Sequence, residues 1–139
     1  MAYMLDTDTC IYLINRRPGY DRVLSRMNGL RYGDVYLSSI SLAEIRYGIA
    51  KSQHQDKNRD RLEGFLARFD ERDFDERAAK AYGVIRAQLE SQGTPIGPLD
   101  TLLAAHALSL GAAMVTNNGR EFSRVSGLVV ENWMGVSLA

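Results

Sequence analysis

The sequence predicts an open, mostly parallel α/β fold, with a central sheet of four or five strands and helices on its faces. Three observations carry that expectation. Short apolar runs alternate with segments of helical spacing, which is the signature of strands joined by crossover helices. No repeat, linker or low-complexity tract interrupts the alternation. A chain of 139 residues with 45% apolar content is also one ordinary domain with enough material for a real core, so residues 1–139 are expected to fold as a single unit.

Taken in order, Tyr3 to Leu5 reads as a brief first strand, followed by a helix through Ile11, Leu13 and Ile14. A second helix is expected over Tyr20 to Leu30, and the run VYLSS, Val35 to Ser39, reads as a strand. Next, SLAEIRYGIAKS has helical spacing. Leu62, Phe65, Leu66 and Phe69 fall at i, i+3, i+4 and i+7, and Ala78, Ala81, Tyr82, Ile85 and Leu89 make a second such stripe, so two further helices are expected there. The segment SQGTPIGP reads as a loop from its Gly and Pro content. It leads into a helix over Leu99 to Leu110, the strand AAMVT and a last short strand, LVVEN.

This architecture has a chemical consequence. Strand C-termini and the N-termini of the following helices meet along one edge of such a sheet, where ligands bind. Asp6 and Asp8 fall on that edge after the first strand, Glu44 after the second, and Asp100 at the start of the helix opened by GPLD. Thr116, Asn117 and Asn118 leave the strand AAMVT for the same place. Carboxylates far apart in sequence should therefore converge, and their mutual repulsion calls for a divalent cation.

Each of these residues also has a local explanation. Ser41 and Glu44 match the S-x-x-E capping box, Asp100 would complement a helix macrodipole, and Asp6 or Asp8 would cap a helix. What the local explanations leave open is the shared edge. The stretch DTDT also resembles the D-x-D-x-T opening of haloacid dehalogenase-like phosphatases, with Cys10 in place of its Thr; there Asp6 would be the nucleophile and Asp8 the acid. The order then fails, because no Lys follows Thr116 and the last 20 residues hold only Glu121 and Glu131 as acids.

Composition sets further bounds. The 17 basic and 17 acidic residues balance, so no global charge marks a nucleic-acid binder, although all the basic residues but Lys51, Lys57 and Lys80 are Arg. With the single cysteine Cys10 no intramolecular disulfide forms, and no signal peptide or membrane-spanning apolar run is present, so a soluble cytoplasmic protein is expected. Cys10 reads as a small buried hydrophobe and His54 as part of a solvated turn. His106 shares the apolar stripe of Leu99, Leu103 and Leu110, which assigns it to the core or to support of the site. Gly48, inside a helical pattern, would allow close backbone packing, as in a homodimer.

The blocks MLDTDTCIYLI, SSISLAEIRYGIAKS and GTPIGPLDTLLAAHALSLGAAMVTNNGREFSRVSGLVVENW together resemble the PIN-domain ribonucleases, specifically the VapC-like toxins of type II toxin-antitoxin pairs. The resemblance covers nearly the whole chain. It implies a three-layer α/β/α fold and an endoribonuclease in which Asp6, Glu44 and Asp100 bind Mg2+ or Mn2+. Activated water would then cleave a structured RNA such as a transfer RNA. The resemblance further implies a homodimer, inhibited by a small VapB-like antitoxin that inserts a side chain into the acidic site. An inactive PIN-like interaction module is the non-enzymatic alternative. One departure stands out: many PIN domains carry a further Asp where TNN stands here, so Glu121 is expected to supply the fourth charge in place of neutral Asn118. Thr116, Asn118 and Asp8 are accessory candidates, with Thr116 orienting phosphate or water and Asp8 capping or lying outside the metal's own ligands.

Overall fold

A computed structural model describes residues 1–134 and has five strands, all parallel, in the order β3-β2-β1-β4-β5. The strands are β1 (Ala2–Leu5), β2 (Val35–Ser38), β3 (Asp70–Arg72), β4 (Ala112–Val115) and β5 (Val130–Glu131). Seven α-helices accompany them among the described residues: α1 (Thr7–Ile14), α2 (Tyr20–Met27), α3 (Ser39–Ala50), α4 (Gln55–Leu66), α5 (Glu76–Ser91), α6 (Pro98–Ser109) and the single turn α7 (Gly119–Phe122).

Successive residues of a strand face opposite sides of a sheet, and β1 and β4 use this to build two cores. Leu5 and Val115 join Cys10 and Leu13 of α1, Val23 of α2, Ile45 of α3 and Leu62 and Leu66 of α4 on one face. Met4 and Met114 join Ile85 and Leu89 of α5, Leu103 of α6 and Phe122 of α7 on the other. The result is the expected three layers. The two central strands are accordingly apolar throughout their buried lengths, as strands covered on both faces must be.

The chain runs outward from β1 to β2 and β3, then returns to the other side of β1 for β4 and β5. The reversal between β1 and β4 is a topological switch point, where the crevice at the strand C-termini opens. Asp6 sits there directly: its backbone N–H donates to the Val115 carbonyl at 3.0 Å.

Several boundaries differ from the sequence expectations. The strand β3, of sequence DER, is absent from them, because a charged edge strand shows no apolar alternation. Helix α4 ends at Leu66 rather than running through Phe69. Phe69 is nevertheless buried, and its ring lies 4.5 Å from that of Phe65 across the turn into β3. Helix α2 stops at Met27, and β5 is two residues where five are expected. Leu99 is exposed, so the apolar stripe of α6 rests on Leu103 and its neighbours.

Two helices end in the same way with different residues. After α5 the Gly93 N–H bonds the Glu90 carbonyl and the Thr94 N–H bonds the Leu89 carbonyl, with Gly93 left-handed at φ 69°. This is the Schellman arrangement, which favours glycine. After α1 the N–H groups of Arg16 and Arg17 bond Leu13 and Tyr12 in the same pattern, yet the left-handed residue is Arg16, at φ 48°. A side chain in that conformation costs about 1 kcal/mol.

Removing the Phe69 ring should leave a cavity that the short turn cannot close. Phe69→Ala is expected to lower stability by about 3–5 kcal/mol in urea unfolding, whereas a loss under about 1 kcal/mol would mean that the turn repacks.

Candidate active site

The cleft at the switch point has a volume of about 300 Å³ and is lined by Asp6, Thr7, Asp8, Glu44, Asp100, Asn118 and the backbone around Gly97 to Leu99. Three of the expected acids thus come together from β1, α3 and α6. Each is positioned by its local sequence. Asp6 is the N-cap of α1, its Oδ1 accepting from the Thr9 N–H at 2.9 Å. Its Oδ2 accepts from Thr116 Oγ1 at 2.5 Å, so capping and site position belong to the same side chain. Asp100 stands in the first turn of α6, whose start is set by Pro98 at a position where proline's missing N–H costs nothing.

Glu44 does not act as a helix cap. Ser38 caps α3, its Oγ accepting from the Ile40 N–H at 3.1 Å, and Ser41 lies buried inside the helix. The capping-box explanation therefore fails, because the helix begins two residues before Ser41 and places Glu44 in its second turn. There Glu44 Oε1 accepts from Thr7 Oγ1 at 2.6 Å, and Thr7 Oγ1 is also 3.0 Å from Ser41 Oγ.

Asp8 is exposed in the first turn of α1 and lines the cleft without capping. At the far wall, Thr116 Oγ1 also accepts from the Asn118 N–H at 2.8 Å. Glu121 stands on the single turn α7 and is not among the residues lining the cleft; Asn118, which does line it, donates from Nδ2 to Glu121 Oε2 at 3.1 Å. Asn117 is exposed and held by Asn132 Nδ2, which donates to its Oδ1 at 3.2 Å.

Charge crowding is legible in the titrations. Burial, then the charges of Asp6, Glu121, Glu44 and Asp8, push the Asp100 carboxyl up to about 6. Burial also raises Asp6, against the opposing effect of its bonds from Thr116 and Thr9. Burial raises the Cys10 thiol far enough to keep it protonated and inert, as a packed hydrophobe should be.

His106 is buried behind the cleft, its Nδ1 sharing a 2.8 Å hydrogen bond with Ser38 Oγ. Burial lowers its pKa, so the imidazole is neutral. The bond ties α6, which carries Asp100, to the cap of α3, which carries Glu44. His54 is exposed, and Gly48 lines a separate apolar groove.

The donor set suits a hard cation. It is made of oxygen atoms, the neighbouring carboxylates add to the rise of the Asp100 carboxyl, and a divalent ion would relieve that repulsion. Among the described residues, no three acidic, His or Cys side chains close around one point, so the cleft is open rather than a finished cage. Magnesium, which keeps several waters and uses few carboxylates, fits such an arrangement.

A model of the PIN domain matches residues 3–128. The chain belongs to the PIN-domain family. The tRNA(fMet)-specific endonuclease VapC of Shigella flexneri is 46% identical over 133 residues, covering 96% of this chain and 98% of the relative. The DNA-bound VapBC structure from Salmonella typhimurium matches with a TM-score of 0.88 and 43% identity, over 96% of this chain and 98% of that one. VapBC2 from Rickettsia felis, bound to a promoter DNA fragment, matches at 0.87 and 40%, over 96% and 99%. Membership overturns the phosphatase alternative, and PIN-domain nucleases of the VapC kind are metal-dependent.

Sequence reasoning missed Thr7 and Ser38, and weighed Ser41 only as a helix cap. Their signal was only a hydroxyl beside or one turn from an acid, which is too common to be informative alone. The raised Asp100 titration has a consequence for stability. The folded protein holds that proton to higher pH than the unfolded chain, so ionisation between about pH 4 and 6 costs stability, and the loss is complete above that window. Asp100→Asn should therefore be more stable than the parent at about pH 7.5 without divalent ions, by on the order of 1 kcal/mol after solvent screening. The gap should close by about pH 4. Thermal unfolding across that range tests it, and equal melting at the upper end would contradict the crowding.

Proposed function

We propose that this chain is the toxin of a toxin-antitoxin pair, an endoribonuclease that hydrolyses a structured RNA, with transfer RNA as the favoured substrate. The convergence of Asp6, Glu44 and Asp100 on one open cleft carries this reading. Transfer RNA as substrate and a VapB-like antitoxin as partner are supported by the names of the relatives. A homodimer follows from the same likeness. No helix among the described residues is long and apolar enough to cross a membrane, and the cytoplasm, where transfer RNA resides, is the proposed location.

In this reading Asp6, Glu44 and Asp100 hold Mg2+ or Mn2+, with Glu121 completing the charge. When bound, the cation makes water nucleophilic at neutral pH and offsets the charge that grows on the phosphate. The protein's part is to aim the carboxylates. Thr116 pins Asp6 Oδ2 and Thr7 pins Glu44 Oε1, leaving the second oxygen of Glu44 free for the cleft. Asn118 steers Glu121 through its amide, while Asp8 stands at the rim as an outer charge. Against the inactive-module alternative, which draws on neutral Asn118 and the open arrangement of the acids, all three principal carboxylates line the cleft.

Asp6→Asn, Glu44→Gln and Asp100→Asn should each keep the native circular dichroism and lose at least about a hundredfold in cleavage rate. Products should carry 5'-phosphate and 3'-hydroxyl ends. Cyclic phosphate ends, or cutting that persists in excess chelator, would sink the hydrolytic mechanism.

Charge rather than reach should decide the fourth position. Glu121→Gln is expected to raise the Mg2+ concentration needed for half-maximal cleavage more than Asn118→Ala does, and Asn118→Asp should keep or lower it. If Glu121→Gln matched the parent titration while Asn118→Ala shifted it strongly, the assignment would pass to Asn118.

A further inference from the structure

A cavity of about 410 Å³ between the C-terminal end of α1 and the outer side of α4 is lined by Arg16, Arg61 and Arg68, with Phe65 beside them and no acidic residue. Five other arginines, Arg26, Arg46, Arg59, Arg72 and Arg86, are engaged in ion pairs, whereas among the described residues these three are in none. They bring three positive charges together on a chain whose net charge is zero.

The cavity is connected to the cleft. An apolar groove of about 230 Å³ shares Glu44 with the cleft and shares Ile14 and Asn15 with the arginine cavity. The three openings therefore form one surface track along α1, whose eight residues span roughly 12 Å at about 1.5 Å each. A polyanion entering the acidic cleft is repelled by the carboxylates there, so favourable charge must act on it elsewhere along the track.

We propose that Arg16, Arg61 and Arg68 form a binding site for a phosphodiester of the RNA strand, a few nucleotides from the bond that is cut. The site rests on the ribonuclease reading and chooses among arginines that the sequence alone leaves equivalent. Guanidinium groups present planar forks that match phosphate oxygens, and the Phe65 ring offers a face on which a base can stack. The geometry of Arg16 supports the assignment. It occupies a left-handed position where glycine would be more stable, and that conformation carries its side chain into the cavity lining.

This gives a test that misfolding cannot imitate. Arg16→Gly should raise the melting temperature yet raise the KM for the structured RNA, with kcat changing far less. The double variant Arg61→Gln, Arg68→Gln should raise KM at least about tenfold. The slope of log(kcat/KM) against log salt should become shallower by about 0.7 for each phosphate that the protein no longer neutralises. Arg59→Gln, on α4 with Arg61 but outside the cavity, serves as the control and should match the parent. If the parent cuts RNA and the cavity variants match it in KM and salt slope, the site is overturned while the ribonuclease reading stands. A parent that neither binds nor cuts RNA overturns the ribonuclease reading itself and the site with it. Variants that keep RNA affinity but lose affinity for a polyglutamate peptide overturn the RNA assignment in favour of an acidic protein segment.

Discussion

Asp6 is 4% exposed at the end of the central strand, and a buried carboxylate is tolerable only where hydrogen bonds replace its lost hydration. The fold supplies those bonds from two directions. The N-terminus of α1 offers the Thr9 N–H, and β4 offers the Thr116 hydroxyl. Both depend on β1 and β4 being neighbours, since Thr116 is 110 residues away in sequence. Misplacing either strand would leave a desolvated charge without partners. The pairing of β1 with β4 and the placing of the first acid are thus one constraint.

A hydroxyl likewise fixes one oxygen of Glu44, while Asp100 is set by the first turn of α6 and Glu121 is held by the Asn118 amide. The hydroxyl on Glu44 is that of Thr7, and because Thr7 adjoins Asp6 in sequence it couples α3 to the end of β1. Behind them, Ser38 serves two helices at once, capping α3 and meeting neutral His106 on α6. No buried side-chain polar atom among the described residues is left without a partner. The carboxylates therefore crowd one another by design of the scaffold rather than by accident of a loose loop, and burial together with that repulsion pushes the Asp100 carboxyl up to about 6.

Much of this was legible from sequence, and the reasons are specific. Asp6, Glu44 and Asp100 could be assigned to one edge because each follows a strand or opens a helix in a parallel α/β order, and parallel topology sends those points to a single side. The single turn α7 that bears Glu121 was likewise suggested by its distance from the strand end, although Glu121 does not line the cleft. Less legible were features without apolar periodicity. The DER strand has no apolar residue to signal its pairing with β2, and Phe69 is buried by a turn rather than by a helix stripe. Glu44 was ambiguous for a related reason: S-x-x-E describes a cap only if the helix begins at that Ser, and α3 begins earlier.

By itself the sequence determined the charge of the site, the order of strands and helices apart from β3, and therefore the edge on which the acids gather, because these follow from residue type and local spacing. Only the tertiary structure decided which oxygen of each acid is pinned and by what. It also decided that His106 bridges two helices from the core, and that Arg16, Arg61 and Arg68 share a cavity joined to the cleft through an apolar groove. The physical reason is that a hydrogen bond or a cluster of guanidinium groups depends on angstrom-scale positions of side chains from separate elements. Those positions are set by packing across the sheet, which local sequence does not record.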